Sequence, residues 1–204
     1  MAAKDPARDQ KQGRQAEGNG QAPWWERRAA DIDRLIARYP KSRSALMGLL
    51  WMAQEERGWV APEDMDFIGR RLGVSRAYVE STCSFYSLYQ RQPVGRYVII
   101  VCGNIMCGLS GGEALVRHLE DLLGVKVGET TPDGLFTLLV TGECVAACDG
   151  APALQINEEY FHKVTPERAD QIVAELRAGA DLIELSERIG LTAPGAGWEA
   201  GESA

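Results

Sequence analysis

Four of the five cysteines in this chain of 204 residues fall into two spaced pairs, Cys102-x4-Cys107 and, after a long gap, Cys144-x3-Cys148. Each pair follows a run with the pattern of a strand. Arg96, Tyr97, Val98, Ile99, Ile100 and Val101 lead into Cys102, and Leu135, Phe136, Thr137, Leu138, Leu139 and Val140 lead toward Cys144. Two short loops therefore each offer two thiolates, and adjacent strands in one sheet would bring them together. Four soft sulfur ligands converging on a point suit an iron–sulfur cluster or zinc. Metal chemistry is the expectation, and the identity of the metal is the main question.

The hydrophobic fraction of 45% and charged fraction of 25% are those of a globular protein with an ordinary core. A net charge of −7 argues against nucleic acid as a partner, since phosphate binding needs a basic face. No apolar run approaches the roughly 20 residues that a membrane span requires. Without a secretory apolar region, the cysteines are read in a reducing compartment, where metal ligation is favoured over disulfides.

The sequence divides into a helical first half and an alternating second half. Met1 to Gln21 is polar and aperiodic and reads as disordered. Ile32, Leu35, Ile36 and Tyr39 recur at helical spacing before Pro40, and Leu46, Leu49, Leu50 and Ala53 repeat it before Gly58. A third helix opens at Pro62 with Met65, Ile68 and Leu72 on one face. A fourth starts at Ser75 with Val79, Thr82, Cys83 and Tyr86. After the first cysteine loop, Ser110 to Glu113 has the form of a capping box for a helix burying Leu115, Leu119 and Leu122. Thr131-Pro132-Asp133-Gly134 is a turn before the second strand. Ala153 to Ile156 and Tyr160 to His162 flank Asn157-Glu158-Glu159 as a hairpin. A last helix starts at Thr165-Pro166, with Ala169, Ile172, Val173 and Leu176 inward and Gly179 at its end.

Strand–helix–strand and then hairpin–helix is the order of a thioredoxin-like α/β layer. The expected organisation is a disordered tail over 1–22, a helical bundle over 23–93, the α/β domain over 94–180 and a C-terminal tail over 181–204.

On residues alone, the spacings weigh against zinc, whose sites favour Cys-x2-Cys turns around one small ion. A cubane cluster usually takes three ligands from one tight run, which is absent. A binuclear [2Fe-2S] cluster tolerates the wider loops; structural zinc and no metal stay open beside it. Ile105 and Met106 are expected to supply apolar cover. Gly103, Gly108, Gly142 and Gly150 are expected to let backbone N–H groups approach the sulfurs. Cys83, on the apolar face of a helix, reads as a buried inert thiol. Gly108-Leu109-Ser110-Gly111-Gly112 matches the G-x-S-x-G of hydrolases, but Ser110 lies eight residues past Cys102, too far from the strand for a nucleophile elbow. His118 and His162 lack ligand spacing to a cysteine and are expected to pack at a surface or edge.

Taken together, Val101-Cys102-Gly103-Asn104-Ile105-Met106-Cys107, Pro132-Asp133-Gly134-Leu135-Phe136 and Glu143-Cys144-Val145-Ala146-Ala147-Cys148-Asp149-Gly150-Ala151-Pro152 resemble the 24-kDa subunit family of respiratory complex I. Residues 84–87, 92–97, 157–160 and 164–167 extend the likeness, which runs from about Tyr39 to about Gly179. The resemblance implies an N-terminal helical segment followed by a thioredoxin-like ferredoxin domain. It implies one [2Fe-2S] cluster held at Cys102, Cys107, Cys144 and Cys148. It also implies a partner subunit that binds FMN and NADH, within a respiratory complex peripheral to the inner, cytoplasmic face of the membrane. Similar modules occur in NAD-linked hydrogenases and formate dehydrogenases, so the host complex is left open. No G-x-G-x-x-G or Walker-type loop follows a strand, so the chain has no evident nucleotide site of its own. The expected role is that of an electron-transfer subunit of an NADH:quinone oxidoreductase. The alternative from a different class is a structural zinc-binding interaction module.

Overall fold

The computed structural model describes residues 22–190. The chain divides into two compact units between Arg96 and Tyr97. The expected tail over 1–21, and the stretch from Thr192 onward, lie outside the described residues.

The first unit is all helix: α1 (Trp24–Arg27), α2 (Ala29–Ala37), a 3-10 turn at Ser42–Ala45, α3 (Leu46–Arg57), α4 (Pro62–Leu72) and α5 (Arg76–Phe85). Their ends follow local chemistry. Gly58 and Gly73 close α3 and α4 in the left-handed conformation that a side chain would strain, and the Ser75 hydroxyl accepts the Tyr78 N–H to open α5. Ile32, Leu46, Leu49, Leu50, Ala53, Met65, Ile68, Leu72, Val79 and Cys83 are buried in one core, as their spacing predicts. Tyr39 and Tyr86, placed on the same apolar faces by periodicity, are instead exposed.

A buried carboxylate ties this unit together. Asp64, fully buried, accepts the Trp24 indole N–H on Oδ1 and the Ala61 N–H on Oδ2, both at 2.8 Å. The second bond caps α4; the first fastens α1 to it across 40 residues. Trp25 stacks on Phe67 beside this bond, with ring centroids 5.0 Å apart.

The second unit is a four-stranded sheet in the order β2-β1-β3-β4, with β1 (Tyr97–Cys102), β2 (Phe136–Thr141), β3 (Leu154–Ile156) and β4 (Glu159–Phe161). β1 runs parallel to β2 and antiparallel to β3, and β3 pairs antiparallel with β4. Between β1 and β2 lie α6 (Ile105–Leu109) and α7 (Gly112–Leu123); after β4 come α8 (Pro166–Arg177) and α9 (Leu182–Ile189). β1 is central and buried at all six residues, the continuous apolar run of a strand covered on both sides. Tyr97, Ile99 and Val101 join Phe136, Leu138, Leu154, Ile156 and Phe161 in a core closed by Leu115, Leu119, Ala169, Ile172 and Leu176 of α7 and α8. By strand alternation Cys102 belongs with Val98 and Ile100 on the opposite face.

Two local expectations are corrected. Ser110 does not cap α7: Gly111, at φ 98°, is its N-cap, and Ser110 instead ends α6. The reason is that α6 and α7 follow each other directly, and only a residue free to adopt positive φ turns the chain between them. The expected tail from residue 181 contains α9, capped by the Asp181 carboxylate on the Glu184 N–H at 2.9 Å, with Leu182 and Leu185 in the core. Leu182, Leu185 and Ile189 at helical spacing after an Asp cap carry that signal in the sequence. Among the described residues no helix is long and apolar enough to cross a membrane.

Asp64→Ala should destabilise the chain by about 1–3 kcal/mol, because it strands two buried N–H donors. Burial holds the Asp64 carboxyl above the usual range, against the opposing pull of its bonds from Trp24 and Ala61. The folded state thus keeps this proton to a higher pH than the unfolded chain does. Stability from this group should fall as pH rises from the unfolded carboxylate range through the folded pKa. Denaturant titrations across pH 4–7 check both points; Asp64→Asn should flatten that component.

A four-thiol site at the end of the parallel strand pair

The parallel register aligns Cys102 with Thr141, so the loops that leave β1 and β2 emerge at the same end of the sheet. Their backbones are tied at once: the Gly103 N–H donates to the Thr141 carbonyl at 2.8 Å. Asn104 adds a second tie. Its side-chain amide donates to the Gly142 carbonyl at 2.9 Å, while its Oδ1 accepts the Ile105 N–H at 2.8 Å and caps α6. One residue therefore starts the helix that carries Cys107 and holds the first cysteine loop to the second. A third tie runs to β3, where the Cys102 N–H donates to the Ala153 carbonyl at 3.2 Å.

Two glycines allow these approaches. A Cβ at Gly112 would lie 2.8 Å from the Cys107 carbonyl oxygen and 3.3 Å from that of Cys102. The start of α7 packs on the cysteine loop only because it has no side chain there. A Cβ at Gly103 would lie 3.0 Å from the Thr141 carbonyl.

The four thiols come together in this corner. Cys102 and Cys107 are buried, packed with Ala147 and Ala153 and flanked by Val145, Ala151 and Tyr160. Cys144 and Cys148 are exposed, with their sulfurs 3.2 Å apart. Interaction with Cys107 and with Cys144 lowers the Cys102 thiol, so Cys102 lies near both pairs. All five cysteines are free of disulfides. Among the described residues no group of three or more His, Cys, Asp or Glu side chains is arranged to hold a single metal ion.

Electrostatics differ from thiol to thiol. Burial pushes the Cys102 thiol up, but hydrogen bonds from the backbone of Val145 and Asn104, and from Cys107 and Cys144, outweigh it and leave Cys102 below the ordinary thiol range. Burial is the main cause that raises Cys107 to about 11, opposed by a backbone bond from Ala153. The bond to Cys144 raises Cys148. The Ala146 N–H donates to the Cys144 sulfur at 3.3 Å, with Ala146 at φ 60°, a conformation rare for a residue with a side chain.

The N–H groups that reach Cys102, Cys107 and Cys144 belong to Asn104, Val145, Ala146 and Ala153. One expectation about the sulfurs' surroundings is corrected. Ile105 and Met106 do not cover the site: they are 74% and 49% exposed, and Leu109 beside them 81%. The buried cover comes from Ala147 and Ala153. α6 is a five-residue helix whose buried residue is Cys107, so its apolar side chains face outward. Of the positioning residues, Asn104 had a legible signal, an Asn directly before a helical run; the backbone donors had none.

Of the remaining candidates, Cys83, His118 and Ser110 are not among the four thiols' neighbours. Cys83 is buried in the helical core, and burial raises its thiol. His118 Nε2 lies 2.7 Å from an Asp170 carboxylate oxygen, on the surface between α7 and α8. Ser110 is exposed. His162 follows β4, the edge strand of the sheet, but is buried there, at 7% exposure.

A mixed sheet of this order, with helices packed on it and four thiols at its end, defines a thioredoxin-like ferredoxin. A family model described as the thioredoxin-like [2Fe-2S] ferredoxin matches residues 32–177. One NADH-quinone oxidoreductase subunit of Rhizobium meliloti is 41% identical over 165 residues, 81% of this chain and 96% of that protein. Subunit 2 of the Thermus thermophilus NADH-quinone oxidoreductase is 41% identical over 157 residues, 76% of this chain and 86% of its own length. The corresponding subunit of Mycobacterium bovis is 43% identical over 148 residues, 72% of this chain but only 58% of that longer protein. The chain belongs to the thioredoxin-like [2Fe-2S] ferredoxin family, in the group formed by these NADH-quinone oxidoreductase subunits. A crystal structure of an NAD+-reducing [NiFe]-hydrogenase shares the fold at a TM-score of 0.60 and 20% identity, over 72% of this chain and 25% of that one.

In the metal-free chain, Cys144 and Cys148 should be alkylated by iodoacetamide before Cys83, Cys102 or Cys107, because access limits the reaction at the buried three. Mass spectrometry of timed digests reads the order.

Proposed function

We propose that Cys102, Cys107, Cys144 and Cys148 hold one [2Fe-2S] cluster, through which the chain carries single electrons as a subunit of an NADH:quinone oxidoreductase. The observation that carries the assignment is the placement of four free thiols on two loops that leave the same end of the sheet. The donor set fits the group: all ligands are soft sulfur, and no histidine stands among them, as a Rieske-type centre would need. When bound, the cluster supplies a one-electron redox couple.

The chain's own residues do the rest. Asn104, Gly103 and Gly112 bring the two loops into register. The N–H groups of Asn104, Val145, Ala146 and Ala153 direct positive dipoles at the sulfurs, which favours the thiolate form and stabilises added negative charge. Ala147 and Ala153 exclude water from the Cys102 and Cys107 side. The exposed Cys144 and Cys148 side is the face from which a redox partner reaches the site with least intervening protein.

The sequence holds no dinucleotide-binding turn after a strand, so the two-electron donor has to be handled elsewhere. We take the immediate partner to be a flavoprotein subunit that binds FMN and NADH. The complex would lie at the inner, cytoplasmic face of the membrane, with this chain peripheral to it.

The full chain purified without oxygen should hold two irons and two acid-labile sulfides. Serine at any of the four positions should change cluster content or spectrum, while Cys83→Ser should leave both alone. Stoichiometric zinc without sulfide would point instead to a structural metal. Dithionite should reduce the isolated holoprotein, whereas NADH should not until the flavoprotein subunit is added. Rapid NADH oxidation by the flavin-free chain would overturn the division of labour.

A further inference from the structure

The loop from Cys144 to Cys148 is exposed at most positions, yet it must keep two sulfurs in place. Its buried anchors are Ala147 and, directly after Cys148 and Asp149, Gly150. The Gly150 N–H donates to the Ala147 carbonyl at 3.1 Å, and its own carbonyl accepts the Lys163 N–H at 2.7 Å. Against the α-carbon of Gly150 lies the ring of His162. A Cβ there would sit 2.3 Å from His162 Cγ, 2.4 Å from Nδ1 and 2.5 Å from Cβ. The Cβ of His162 is fixed by the backbone, so no rotamer of the ring relieves the contact with an added methyl. The backbone of His162 is itself held, its N–H donating to the Gly190 carbonyl at the end of α9 at 3.0 Å. The ring fills the place that a side chain on Gly150 would take. Its Nδ1 is buried without a hydrogen-bond partner among the described residues, a placement that costs free energy and that a hydrocarbon of the same shape would avoid.

We propose that His162 is a positioning residue for Cys148: its ring, seated on Gly150, holds the Cys148–Gly150 turn against the sheet and thereby sets how firmly, and at what potential, the cluster is retained. This rests on the ligand assignment above. It gives α9 a part in the site as well, because Gly190 fixes His162 from behind. The glycine and the histidine form one unit, in which a change at either is felt at the same sulfur.

The test uses the full-length holoprotein and four variants: His162→Ala, His162→Phe, Gly150→Ala and the double Gly150→Ala/His162→Ala. Cluster loss to an iron chelator is followed by visible absorbance, with the midpoint potential and the EPR spectrum of the reduced form as second readouts. His162→Ala should speed cluster loss by roughly 10–100-fold, the usual cost of removing a group that orients a ligand, and should shift the potential. His162→Phe, which keeps the ring, should restore most of the retention. Gly150→Ala should be worse than His162→Ala, and the double variant should recover only the part of that loss due to the ring atoms, because the Cβ of residue 162 would still lie 2.5 Å from the added methyl, a non-additive result. Additive effects across the cycle, or wild-type retention, potential and EPR spectrum in His162→Ala, would overturn the role of His162. If His162→Ala does not fold by circular dichroism, the recovery of Gly150→Ala by the double variant is lost as a readout, and His162→Phe decides: weak retention despite a native fold overturns the proposal. A wild-type protein without iron and sulfide would refute the ligand assignment itself.

Discussion

The parallel pairing of β1 with β2 is the constraint on which the site depends. Parallel neighbours end at the same side of a sheet, so the loops that follow them share one edge. With Cys102 opposite Thr141, each strand has only to be followed by a short cysteine loop for all four thiols to meet. An antiparallel pair would have sent the two loops to opposite ends, strand length apart. The long gap between the cysteine pairs in the sequence is thus the length of the crossover through α6 and α7 that parallel pairing demands.

Bringing four thiols together is costly without help. Thiolates in one corner repel one another, and burial of Cys102 and Cys107 adds a desolvation penalty, visible in the raised Cys107 thiol. The chain offsets this locally with N–H donors from loop backbone, and Cys102, which receives bonds from Val145 and Asn104, moves the other way. The strained Ala146 belongs to the same arrangement, since its N–H meets the Cys144 sulfur. Strain at a residue beside a ligand is tolerated where the surrounding bonds over-determine the loop. Here the ties through Gly103, Asn104 and Gly150 do so.

The helical unit answers a different physical problem. Its core forms from ordinary amphipathic helices, but the short α1 of four residues has too little length to hold itself. The Trp24–Asp64 bond supplies the missing attachment. A buried carboxylate with three donors, from Trp24, Ala61 and Arg57, is stable only as a set, because losing one leaves part of it unsolvated.

The sequence by itself determined the two-part organisation by helical and strand periodicity, the ends of α3, α4 and α8, the start of α5, the hairpin turn at Asn157, and the placement of Cys83 in an apolar core. Each of these is decided within a few residues, by spacing, by a capping side chain or by a glycine free to take positive φ. Family motifs at the two cysteine loops were equally local. What only the tertiary structure decided was everything set by residues distant in sequence: Asn104 reaching Gly142, Ala153 reaching Cys107, Trp24 reaching Asp64, and His162 seated on Gly150. The outward turn of Ile105, Met106 and Leu109 belongs here too, since an apolar side chain in a short loop carries no record of which side its neighbours occupy. The inclusion of α9 in the core was legible in part, through Asp181 and the leucines that follow. Its bond from Gly190 to His162 was not, because a backbone carbonyl leaves no mark on sequence, and only the packed chain fixes which N–H it meets.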